Sequence, residues 1–449
     1  PPVALAPVAS TPAEPAQASV PSGEAAAIEQ LRADNRALAA QLSTLRTDYR
    51  SIAARGRLQG SGAVDPTRFD VEQRLAAGGG RAGRLTTPHG TVLTPAFVPA
   101  SGVVQADALG WLGAQAVVAD AFVLDASAGA DVVSAAGGLG AFTGWSETTV
   151  SNPGAALAAQ TDGAHVDDDG IDFRSPVDGA AGRITPESAV HTAHLLGVDV
   201  AFVLTPPLIP APSSAVARQA VDRSLVWARR GLAEHNWVTA QRRDGLSLWA
   251  VVTGGASEDH RRRAARELQA LHDEDVLAGG LGFGGYRIAG IDHAAAELAL
   301  LGAAIDELDD TRPRYLPGVA EAADVFAAFE AGIDLFDGGE PARAAARGVL
   351  LTSAGRIDVT QPAFRADVRP VDPDAAPANR GPARAYLHHL FVAGDPLAVT
   401  LATAQNERFL VTLVSGIREA VVEGRYSEYK AEVLGRTSAG TPDRVSPRT

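Results

Sequence analysis

The sequence predicts an α/β protein: a (β/α)8 TIM barrel with a C-terminal helical inserted subdomain, preceded by an N-terminal coiled-coil helix. Three observations carry that expectation. From about residue 82, apolar β-rich runs alternate with stretches of helical period, which calls for a parallel sheet because each crossover must pass back over its face. The number of such units favours a closed barrel over an open sheet. Ahead of them, residues 24–54 carry a seven-residue apolar repeat, the period of helices that supercoil.

Residues 1–23 are dominated by Ala, Pro and Ser, have nothing to build a core, and read as a disordered tail. In 24–54, Ile28, Asn35, Leu42 and Tyr49 fall at one heptad position and Leu31, Leu38, Leu45 and Ile52 at the other. A single polar Asn35 in such a seam favours a parallel two-stranded register, hence a homodimer through this segment. The alternative is one amphipathic helix lying on its own domain. Residues 55–81 read as linker. The barrel is expected over 82–369. Its strands are Thr91–Val98, Ala116–Leu124, Val200–Leu204, Leu246–Val252, Tyr286–Ile291, Tyr315–Val319 and Gly332–Phe336. Helices fall at Thr185–Leu196, with Pro186 and Glu187 in its first turn, and at Ser213–His235, Glu258–Leu271 and Ala294–Leu308. A Gly/Asp-rich insertion at 151–183 and a hairpin at Val349–Val359 interrupt the alternation. Residues 370–436 form the helical subdomain that completes the barrel, with Leu397–Glu423 strongly amphipathic, and 437–449 read as a second disordered tail.

Composition narrows the chemistry. The 449 residues are 46% hydrophobic and 20% charged, which is globular. A net charge of −14 argues against a surface given over to nucleic acid. The arginines at 229, 230, 242, 243 and 261–263 are either a local basic patch or a solvated helix face. Zero cysteine rules out disulfides, thiolate zinc sites and cysteine nucleophiles. No apolar run reaches membrane-spanning length, so a cytoplasmic protein without a membrane partner is expected.

The candidate for chemistry is Asp337. The strand Gly332–Phe336 delivers it to its carboxyl end, and two glycines and a glutamate–proline pair follow (GIDLFDGGEP); the carboxyl ends of barrel strands converge on one mouth. A carboxylate there is a nucleophile, a base or a ligand anchor, or it caps the next turn.

Seven motifs in order then carry a resemblance over residues 82–432: TVLTPAFVP (91–99), GGLGAFTGW (137–145), GIDFRSPVDG (170–179), Thr185-Pro186-Glu187, PRYLPGV (313–319), GIDLFD (332–337) and RAYLHHL (384–390). Together they resemble the bacterial tRNA-guanine (queuine) transglycosylases. That resemblance implies a (β/α)8 barrel with a zinc subdomain. It also implies exchange of a tRNA guanine for a 7-deazaguanine through a covalent ribosyl–enzyme intermediate, a queuosine-type modification. It gives Asp337 the nucleophile's place. The second, proton-moving aspartate falls on Asn152, which cannot shuttle a proton. The purine-reading positions fall on Thr205 and Thr253, the latter before Gly254. The base-lining Gly-Gly-Leu becomes Ala289-Gly290-Ile291, and the stacking methionine becomes Pro317. Of two backbone-gripping arginines Arg343 is kept and the other falls on Ala346. The zinc ligands fall on Asp374, Ala376, Asn379 and Gln405, so neither zinc nor another cofactor is expected. The expectation is a catalytically impaired paralogue, a pseudoenzyme acting as a binding or architectural subunit, with tRNA or another protein as partner. The alternative is an active pentosyltransferase of altered base preference that uses Asp337.

Overall fold

A computed structural model of the chain describes residues 65–102, 104–207, 214–242, 245–372 and 381–439. The heptads of 24–54 lie outside the described residues. Sixteen strands are described, β1 (Arg68–Arg74), β2 (Arg81–Thr87), β3 (Gly90–Thr94), β4 (Ala96–Val98), β5 (Ala116–Asp120), β6 (Thr148–Asn152), β7 (His165–Val166), β8 (Ile171–Arg174), β9 (Ala181–Ile184), β10 (Val200–Phe202), β11 (Ser247–Val252), β12 (Tyr286–Ile288), β13 (Arg314–Pro317), β14 (Leu335–Asp337), β15 (Val349–Thr352) and β16 (Gly355–Asp358).

Eight of them form the barrel, in the order β4-β14-β13-β12-β11-β10-β6-β5, every neighbour parallel. The two ends meet through a parallel bridge between Ala100 and Val118. There Val118 N–H donates to the Pro99 carbonyl (2.9 Å) and Ser101 N–H to the Val118 carbonyl (2.8 Å). The barrel strands read as near-continuous apolar runs because both their faces are covered; β11, for example, is buried at every residue.

The outer helices are longer than their periodicity suggests at Ser214–Arg242 and Glu258–Leu277, and shorter at Leu298–Ile305. Thr185 caps the helix Pro186–Leu196 reciprocally with Ser188, a capping box. After the hairpin β15–β16 come helices Arg384–Ala393, Leu397–Val422 and Tyr426–Ala439. The last runs three residues past the expected boundary at 436. Leu410, Val414 and Ile417 of the long middle helix enter the barrel core, as its amphipathic pattern anticipates.

Four expectations are corrected. Residues 68–74, read as linker, form β1, paired antiparallel with β2; only Phe69 and Val71 of its RFDVEQR sequence are apolar and no residue of it is buried, as at a sheet edge. The run 91–98 is two strands, since Pro95 cannot donate to a ladder, and β3 pairs with β2 while β4 joins β14 in the barrel. The run 116–124 is a strand only to Asp120, after which Ala121–Ser127 is helical. The 151–183 insertion likewise starts only after β6, whose TTVSN sequence is too short and polar to read as a strand, and carries its own antiparallel sheet β7-β8-β9.

Candidate active site

Asp337 is the last residue of β14, in register with Pro317 of β13. Its Oδ2 accepts a 2.7 Å hydrogen bond from the Tyr315 hydroxyl, and its main-chain carbonyl accepts from Gly318 N–H at 2.7 Å. Tyr315 itself is fully buried. Burial raises the Asp337 carboxyl above the ordinary carboxylate range, opposed by the positive charge of Arg287 and by the Tyr315 hydrogen bond. Burial, and then the neighbouring Asp337, push the Tyr315 phenol far up. Tyr315 is therefore a hydrogen-bond donor at any working pH.

A second carboxylate shares the mouth. Asp120 ends β5 in register with Asn152 of β6, and the Asn152 amide lies 3.5 Å from its Oδ2. Its Oδ1 accepts from Val123 N–H (3.2 Å) and caps the helix that follows. Burial raises this carboxyl as well, against the Val123 and Phe122 N–H groups and Arg287. Gly154, at φ +81°, packs so closely that a Cβ would come within 2.4 Å of Asp120 Oδ1. Sequence reasoning missed Asp120 because AVVADAFVL reads as one apolar run. The available signal was the rule that picked out Asp337, a carboxylate where a barrel strand ends.

The charge of Arg287 on β12 reaches both acids. Side chains from β10, β12 and β13 meet there, which places them inside the barrel. The Arg287 guanidinium lies 5.0 Å from the Phe202 ring centroid, and Phe202 in turn packs edge-on against Tyr315 at 5.0 Å. Arg287 Nε is buried without a hydrogen-bond partner among the described residues. Its charge acts on both Asp120 and Asp337.

The other expected binding positions are engaged elsewhere. Thr253 is buried and its hydroxyl pairs with Ser224 of the outer helix at 3.3 Å. Gly254 (φ +147°) backs onto the Arg261 backbone, where a Cβ would meet Arg261 N at 2.6 Å. The Gly290 carbonyl accepts from Arg261, which also donates to the Gly255 (2.8 Å) and Ala289 (2.9 Å) carbonyls. Fully buried with carbonyl acceptors alone, Arg261 is lowered by burial to about 10. It staples the loops after β11 and β12 together. Thr205 is half-buried three residues past β10. Arg343 is exposed and paired with Glu340 (3.2 Å). The arginine patch disperses: Arg261 is internal, and Arg229, Arg230 and Arg263 pair with Glu274, Glu187 and Asp222.

Of the family's metal positions, 374, 376 and 379 lie outside the described residues. Gln405 is buried in the helix Leu397–Val422 and its Oε1 accepts from Arg408. A guanidinium facing that amide does not fit a zinc ion, and no cluster of three His, Cys, Asp or Glu suited to a metal exists among the described residues. His388 is held by the Val359 carbonyl (Nδ1, 2.9 Å). No described helix is long and apolar enough to cross a membrane.

The family model for queuine tRNA-ribosyltransferase matches residues 76–439. A queuine tRNA-ribosyltransferase of Moorella thermoacetica is 31% identical over 383 residues, covering 83% of this chain and 98% of that protein. One from Sorangium cellulosum is 34% identical over 383 residues (83% and 93%). Another, from Thermosynechococcus vestitus, is 34% identical over 373 residues (81% and 95%).

Proposed function

The chain belongs to the queuine tRNA-ribosyltransferase family, and from that premise we propose that it is a tRNA-binding or architectural subunit in which base exchange is lost or strongly impaired. One observation carries this reading: two of the positions that should receive the base, Thr253 and Gly290, already hold hydrogen bonds within the protein. The Thr253 hydroxyl is taken by Ser224 and the Gly290 carbonyl by Arg261, while an amide, Asn152, stands where a proton carrier belongs. Loss of a general acid or base costs about 10²–10⁴-fold. A purine edge left without partners costs about 10⁴-fold in discrimination. The heptads of 24–54 supply a route to a dimer independent of any metal. Trapping with tRNA and 9-deazaguanine, read on a denaturing gel, tests the reading. No covalent RNA adduct is expected; an adduct that disappears in Asp337→Ala overturns it. The dimer is tested by mass in solution, which deletion of residues 1–60 should halve.

Asp120 favours a second reading, an active exchange enzyme of altered base preference with Asp337 as nucleophile. Burial raises the Asp120 carboxyl above its ordinary range, and it lies 3.5 Å from the amide that replaced the family's second acid. If an adduct forms with wild-type protein and is lost in Asp120→Asn, this reading replaces the first.

A further inference from the structure

We infer that Arg287 makes the barrel mouth a binding site for an intact 6-oxopurine, read through two adjacent acceptors, ring N7 and the 6-oxygen, and selects against 7-deazapurines. The inference rests on reading the mouth as a nucleobase site, and it holds whether or not that base is exchanged.

The guanidinium stands three residues before Gly290, in the segment that should line the base. It packs on the Phe202 ring (5.0 Å) inside the barrel, which limits the plane it can adopt. Its Nε is buried with no partner among the described residues, and a buried donor left unpaired is a standing cost that a ligand acceptor removes. Guanidinium is donor-only, with its N–H groups in a rigid fork. That fork matches two neighbouring acceptors and cannot bond a donor edge. The 6-oxygen and N7 of a 6-oxopurine are such a pair, and an arginine fork spans them in nucleic acids. In a 7-deazapurine the N7 acceptor is a carbon, so one arm of the fork is left unpaired.

Charge selects among acceptor-bearing ligands. Asp120, Asp337 and Arg287 carry a formal sum of −1 with both acids ionised. A carboxylate ligand would add to that sum, whereas a neutral purine brings two acceptors and no charge. The polar groups that might have read the opposite edge are withdrawn, Thr253 onto Ser224 and Gly290 onto Arg261. Recognition thereby shifts to the edge that Arg287 can serve.

The test is equilibrium binding of free bases to the full chain by calorimetry, with hypoxanthine, 7-deazahypoxanthine and adenine as probes. Hypoxanthine should bind about tenfold or more tightly than 7-deazahypoxanthine, and more tightly than adenine, which offers a donor at position 6. In Arg287→Gln that preference should collapse to about twofold or less, and Arg287→Lys, a single point donor, should restore only part of it. Equal affinities in the wild-type protein, no binding of any base, or a preference that survives Arg287→Gln overturns the inference. The wild-type comparison decides even if a variant fails to fold. A negative adduct assay leaves the inference standing and a positive one does not establish it, so the two readings fail separately.

Discussion

The buried pair Arg81–Asp334 offers the sharpest test of how the strand that carries Asp337 is held. Arg81 of β2 donates from Nε (2.8 Å) and Nη2 (2.7 Å) to the two oxygens of Asp334, with both side chains fully buried. It also donates to the Arg312 (2.7 Å) and Asp310 carbonyls. Asp334 Oδ2 accepts in addition from Arg314 N–H at 2.8 Å, so one carboxylate ties β2, β13 and the approach to β14 together, three residues before Asp337. Arg81→Met would leave that carboxylate buried with a single backbone donor, a change worth about 3–5 kcal/mol. Taking an unfolding entropy of about 2.1 cal/mol/K per residue over roughly 375 residues, the loss corresponds to a fall of about 4–6 °C in Tm. Arg81→Met combined with Asp334→Asn removes the stranded charge while keeping an acceptor for Arg314 N–H, and should recover half of the loss or more. Differential scanning fluorimetry with urea titration reads both. A single variant within about 1 kcal/mol of wild type, or a double variant no better than the single, would show that the pair does not hold the strand.

Two further outcomes follow from named side chains. Glu407 is buried in the helix Leu397–Val422, with Oε2 unpartnered among the described residues, and burial pushes its carboxyl up to about 8. The folded state holds this proton more tightly than the unfolded one. Stability should therefore fall as pH rises from about 4.5 to about 8, by up to about 1.4 kcal/mol per pH unit, and this contribution should vanish in Glu407→Gln. Urea midpoints across that range check it. Arg343→Ala, at an exposed ion pair, should shift stability by no more than about 0.5 kcal/mol. If tRNA binds there, the slope of log affinity against log salt should drop by about 1.

Asp337 was legible because its strand is short, apolar and ended by glycines, a local pattern that needs no knowledge of neighbours. Asp120 obeys the same rule and was hidden only because the apolar residues of its strand run on without a break into the helix it caps. Arg287 carried no signal. In sequence it is a charged residue among apolar ones on a strand, and only ring closure of eight strands brings it onto Phe202 and its charge within reach of Asp120 and Asp337. Of the arginines at 229–263, Arg229, Arg230 and Arg263 follow the solvated-face alternative, since each is paired with a carboxylate on another helix.

The sequence by itself determined the family and the barrel. Strand and helix periods are properties of consecutive residues, and seven motifs in order leave little freedom in how they are joined. Tertiary structure alone decided the state of the site: which partners the Thr253 hydroxyl and the Gly290 carbonyl hold, that Arg261 clamps two loops, and that the charge of one guanidinium reaches two acids. Those facts depend on pairings between residues 29 to 167 positions apart. Hydrogen bonding and burial assign such partners only once the barrel has closed, and no local period records them.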